Sequence, residues 1–120
     1  KASHMDYNPS AALARIDKDT GLMTLLITVF IKECPKYISK LQAACDNQDL
    51  QALGDGAHNV KGASAAIGLD AASSLAEELE VACRQSGVKS IASFEASTAR
   101  LIDILTQCPE VLNNWIKSNP

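Results

Sequence analysis

The sequence predicts an all-α domain, an antiparallel up-down-up-down four-helix bundle with short additional helices at the N- and C-termini. Apolar residues recur every three or four positions through four long segments, and short polar or glycine-bearing turns separate those segments. No stretch alternates apolar and polar residues as a half-buried strand would. Alanine and aliphatic side chains are abundant while aromatics make up only 4% of the chain, a balance typical of close helix packing.

Lys1-Ala2-Ser3-His4-Met5 reads as an expression-tag remnant ending in a start methionine, so residues 6–120 are taken as a single domain. Asn8-Pro9-Ser10 can open a short helix through about Ile16, with Leu13 and Ile16 as its apolar contacts. Asp19 or Thr20 then offers an N-cap for a long helix. Its stripe is Leu22, Leu26, Val29, Phe30, Cys34, Tyr37, Ile38, Leu41 and Cys45. The stripe continues past Pro35, so a kink is expected there rather than a break.

Asp46-Asn47-Gln48-Asp49 makes the next turn and caps a helix over residues 50–67, which Gly68 ends. Asp70 can cap the following helix, residues 71–86, which buries Leu75, Leu79, Ala82 and Cys83. That helix turns Glu77, Glu78, Glu80 and Arg84 to water, and Gly87 closes it. Ser90 opens the last long helix, with Ile91, Phe94, Thr98, Leu101, Leu105 and Cys108 inward. Pro109 is read as starting a short terminal helix that tucks Val111, Leu112, Trp115 and Ile116 onto the body.

Several function classes are disfavoured. A net charge of −3 with no basic cluster argues against nucleic-acid binding. The longest apolar run, residues 21–31, is too short to span a bilayer, and no signal peptide is visible. Cys34, Cys45, Cys83 and Cys108 form no CxxC pair and have no histidine neighbours, so they read as reduced core residues. His58 has no second histidine or cysteine within ligand spacing, so no metal site is expected.

The stretch "AHNVKGASAAIG", residues 57–68, holds the one histidine outside the tag-like segment. On a wheel of ~100° per residue, Leu53, Gly56, Val60, Ala63 and Ile67 form the inward stripe of the third helix. His58 lies opposite, sharing its face with Gly54, Asp55, Lys61, Gly62 and Ala65. Glycine inside a helix costs roughly 1 kcal/mol relative to alanine. Gly56 faces inward, where it allows close packing. Gly54 and Gly62 flank His58 on the outer face, where a missing side chain lets another surface approach the ring. Lys61, one turn along, can neutralise a doubly negative group attached to the imidazole. A nucleophile, a cation and open space together suit a covalent phosphoryl acceptor.

At these residues the chain resembles the histidine-containing phosphotransfer (HPt) family, whose motif is approximately H-x-x-K-G-x-[SA]-x-x-[ILF]-G. Here it stands as His58, Lys61, Gly62, Ser64, Ile67 and Gly68, with "LLITVFIKECPKYISKLQAA" before it and the acidic "LAEELEVAC" after it. The resemblance covers roughly residues 6–105. It implies that His58 is the phosphoacceptor, that Lys61 stabilises the phosphoryl oxygens, and that Gly62 gives access. It also implies response-regulator receiver domains as partners, with magnesium bound only by the partner receiver and no cofactor in this chain.

Extending the His58 face along its helix proposes Gln51, Gly54, Asp55, Ala65 and Leu69 as the docking surface. Asp55 is equally well read as a solvated charge, and Ser64 as a hydroxyl bonded to a backbone carbonyl. No nucleotide-binding motif is present, so a relay module rather than a kinase is expected. The rival reading is a helical interaction module whose His58 face binds a partner without chemistry. A kinase dimerisation helix would need a second chain to complete its bundle, whereas four helices here suit a monomer. A cytoplasmic location is expected, tethered to the inner membrane wherever the parent is a sensor kinase. The domain-like start directly after the scar suggests an excised C-terminal module.

Overall fold

A computed structural model of the chain describes residues 5–85, 87 and 90–120. Four long helices form a ring in which α2 packs on α3 and α5, and α4 packs on the same two. They are α2 (Thr20–Asp46), α3 (Leu50–Ala66), α4 (Asp70–Arg84) and α5 (Glu95–Ser118). A short α1 (Ser10–Arg15) precedes them, and a 3₁₀ turn (Ile91–Phe94) leads into α5. The described residues contain no strand. The tag-like residues 1–4 and the expected end of the fourth helix at Ser86 lie outside the described residues.

Two of the helix starts follow directly from short acidic side chains. Asp19 accepts from the Leu22 backbone N–H at 2.9 Å, and Asp49 accepts from that of Ala52 at 3.0 Å. Each satisfies an otherwise orphaned donor in the first turn. Asp70 does not act this way. Leu69 occupies the position before α4 and Asp70 is its first residue, where a carboxylate favours the positive end of the helix dipole.

The core is built from Met23, Ile27, Phe30 and Leu41 of α2, Leu53 and Val60 of α3, Leu79 of α4, and Leu101, Leu105 and Leu112 of α5. Burying each such side chain is worth about 1.5–3 kcal/mol. The expected phase of α2 is wrong in its first half. Met23 and Ile27 point inward, while Leu22, Leu25 and Val29 are exposed. Apolar residues surround the helix on every side there, so spacing cannot choose between registers one residue apart.

Pro109 does not begin a separate helix, because α5 runs through it unbroken to Ser118. A proline there deprives the Leu105 carbonyl of its usual N–H partner. The Cys108 thiol donates to that carbonyl at 3.7 Å instead, and Leu105 and Leu112 are buried on either side. Cys108 also meets Cys34 across the α2–α5 seam, with sulfurs 3.9 Å apart, and all four cysteines are free thiols.

The turn from α3 to α4 fixes the end of the helix that carries His58. Gly68 sits at φ +75°, and a Cβ there would lie 3.1 Å from Pro9 Cα and 3.2 Å from Ala12 Cβ. The N-terminal segment is clamped against this turn. Tyr7 donates its hydroxyl to the Ile67 carbonyl at 2.6 Å, and Trp115 packs edge-on against the Tyr7 ring. Gly68→Ala is expected to lower stability by about 2 kcal/mol, from left-handed strain and from crowding against Pro9. Urea unfolding of the variant checks this, and a loss below about 0.5 kcal/mol would show that the turn relaxes freely.

Candidate functional site

His58 projects from the outer face of α3, with its side chain 60% exposed. The opposite face of the helix is sealed by Leu53, Gly56, Ala57, Val60 and Ser64, all buried. Gly56 admits Leu41 of α2, whose side chain would stand 3.3 Å from an added Cβ. The Ser64 hydroxyl donates back to the Val60 carbonyl, so it belongs to the helix rather than to the site.

The residue that organises the site was not expected there. Glu80 of α4 reads from the sequence as a solvent-facing carboxylate, yet its side chain is only 13% exposed and turns toward α3. Its Oε2 lies 3.0 Å from His58 Nδ1 and 3.2 Å from Arg84 Nε, and its Oε1 lies 2.9 Å from Lys61 Nζ. Lys61 chiefly, and Arg84 after it, hold the Glu80 carboxyl at about 2 against the opposing effect of burial. Glu80 is therefore an anion at neutral pH and can only accept hydrogen bonds. In the neutral imidazole the proton facing this anion is then the one on Nδ1, and Nε2 carries the lone pair.

Lys61 is half-buried between this carboxylate and the surface, one turn from the ring. Gly62 is open, since an added Cβ would find nothing within 4 Å. Nothing inside the domain requires glycine at that position. Gln51 and Asp55 are exposed on the same side, and Asp55 accepts from Arg84 Nη2 at 3.0 Å. Ala65 is half-buried, and its carbonyl accepts from Arg15 of α1 at 2.8 Å, so α1 borders the far end of this face.

Two proposed docking residues are misplaced. Leu69 is fully buried, because the α3–α4 turn rotates it into the core. Gly54 is buried as well, beneath Arg84, whose guanidinium carbon would lie 3.3 Å from an added Cβ. A wheel drawn on α3 alone cannot show that a side chain from α4 covers one end of the exposed stripe.

Among the described residues, no group of three or more His, Cys, Asp or Glu is placed to hold a metal ion. No described helix is long and apolar enough to cross a membrane.

An all-helical bundle presenting one exposed, proton-oriented histidine beside a lysine has the form of a histidine phosphotransfer module. The family model for the Hpt domain matches residues 25–113, and the chain belongs to that family. The fold is similar to the crystal structure of the HPT domain from an Hpt sensor hybrid histidine kinase of Shewanella. That likeness has a TM-score of 0.82 at 20% identity, covering 93% of this chain and 94% of the other. Comparison with curated proteins gave no match. Membership of the family gives the domain a phosphotransfer role in two-component signalling, and a module of this kind is not itself a kinase.

The depressed Glu80 carboxyl has a consequence for stability. In the unfolded chain it protonates near its ordinary value of 4.5, whereas in the native site it resists protonation down to about 2. Its contribution is fully present above the higher value and is lost as pH falls toward the lower one. Urea midpoints measured between about pH 5 and pH 2.5 should fall less in Glu80→Gln than in the parent. Parallel curves for the two proteins would show that Glu80 makes no such contribution.

Proposed function

We propose that this chain is a phosphorelay intermediate, taking a phosphoryl group from the aspartate of one response-regulator receiver domain and passing it to the aspartate of another. The observation that carries this reading is a largely exposed imidazole whose Nδ1 lies 3.0 Å from an anionic carboxylate, so that Nε2 is the nitrogen left uncommitted. The Nε2 lone pair attacks phosphorus, the acyl-phosphate P–O bond breaks, and the donor aspartate leaves as carboxylate. Positive charge that develops on the ring is stabilised through Nδ1–H by Glu80. Return transfer reverses these steps on a second receiver.

Lys61, which shares the Glu80 carboxylate with His58, would balance the phosphoryl oxygens, as lysine does for phosphate elsewhere. Gly62 leaves the space that a receiver's active-site loops would fill. Gln51, Asp55 and Ala65 remain candidates for the docking rim. Magnesium belongs in this reading to the receiver's own acidic pocket, and no cofactor is assigned to this chain. The domain would act in the cytoplasm as a monomer, without nucleic acid, and without kinase activity of its own.

Incubation with a phosphorylated receiver and magnesium should transfer label that survives alkali and is lost in acid. His58→Gln should abolish labelling while leaving the helical circular dichroism unchanged. Label on the Gln variant would move the acceptor away from His58, and none on the parent with any of a panel of receivers would leave a binding module without chemistry; either would sink the relay reading. Lys61→Ala should fold normally and slow transfer by roughly tenfold or more.

A further inference from the structure

A glutamate side chain left to itself spreads over several rotamers, so its service to His58 depends on being held. Arg84 does the holding from the outer side. Its Nε lies 3.2 Å from Glu80 Oε2, the oxygen that accepts from His58, and its Nη2 lies 3.0 Å from Asp55 Oδ1. Asp55 precedes His58 by three residues on α3, while Glu80 and Arg84 are one turn apart on α4. The four side chains form a chain across the α3–α4 seam, from Asp55 through Arg84 and Glu80 to His58, and the α3 backbone closes it into a ring.

The backbone is shaped to admit this ring. The guanidinium lies across Gly54, where an added Cβ would come within 3.3 Å of both Cζ and Nη1. Any larger residue at that position would displace it. Exposed ion pairs taken singly contribute little to stability, so the arrangement is poorly explained as a staple. A planar, multiply donating guanidinium joining two carboxylates is well suited to fixing a geometry.

We propose that Arg84 is a positioning residue for phosphoryl acceptance: braced by Asp55, it fixes Glu80 so that His58 keeps its proton on Nδ1 and offers Nε2 as a lone pair. The proposal rests on the reading of His58 as the acceptor given above. Without Arg84, Glu80 is held by Lys61 alone and samples rotamers that release Nδ1. The neutral ring then drifts toward the free-imidazole mixture, in which the Nε2–H form dominates and has no lone pair to offer outward.

The test uses the full chain with ¹⁵N-labelled histidine, in the parent and in Arg84→Met, Arg84→Lys and Asp55→Asn. Ring nitrogen shifts of the neutral imidazole report the tautomer with no receiver present. Phosphoramidate serves as a small phosphodonor: its P–N bond breaks, ammonia leaves, and Nε2 takes the phosphoryl group. Arg84→Met should shift the ring toward Nε2–H and slow labelling on the order of tenfold. Arg84→Lys should recover part of both effects, and Asp55→Asn should move both in the same direction by less.

Parental ring shifts in a folded Arg84→Met would overturn the proposal. So would slower labelling with the tautomer unchanged, which would make Arg84 a direct contact for the phosphodonor. Should Arg84→Met not fold, parental ring shifts in Asp55→Asn would overturn it equally. A parent that accepts phosphoryl from neither phosphoramidate nor receivers would refute the acceptor reading, while the ring shifts still decide whether Arg84 sets the tautomer.

Discussion

The hydrogen bond from His58 Nδ1 to Glu80 is the contact on which the outer surface of the domain depends. It crosses from α3 to α4, so it exists only while those two helices hold their register. The buried side chains of the two packed helices, Leu53 and Val60 of α3 and Leu75 and Leu79 of α4, set that register. The core therefore determines more than stability. A slip of one turn between α3 and α4 would leave His58 on the surface but take Glu80, and with it the direction of the ring proton, out of reach.

The same seam explains why the cations on this face are not interchangeable. Lys61 reaches Glu80 from the ring's own helix, three residues beyond His58. Arg84 reaches the same carboxylate from one turn along α4 and spans to Asp55. A point-like ammonium suits a group that must meet changing oxygens, whereas a rigid fork suits a group that must hold two carboxylates in place.

Much of this was legible in the sequence because helices write themselves in a short period. The long helices, the aspartate caps at 19 and 49, the left-handed Gly68 and the outward direction of His58 all follow from rules acting within a few residues. The failures share a cause. Spacing alone puts the exposed Leu22 and Val29 inward, because an apolar run on all sides of a helix has no phase of its own. Pro109 looks like a boundary because its missing N–H is visible in the sequence, while the contact of the Cys108 thiol with the stranded carbonyl is not. Glu80, Arg84 and the cover over Gly54 are properties of two helices at a particular offset, and Leu69 turns inward for reasons of the turn geometry. No pattern along one strand of sequence encodes those.

The proton on Nδ1 also carries a regiochemical consequence. An imidazole offers two nitrogens for phosphorylation, giving two isomeric phosphohistidines that differ in hydrolytic lifetime and in the shape they present. Here one nitrogen is occupied by its own proton and covered by a carboxylate whose negative charge repels an incoming phosphoryl group. In the proposed relay, that leaves the distal nitrogen for reaction. On the relay reading proposed above, the modified domain would be a single chemical species, and a partner that reads it would meet one isomer.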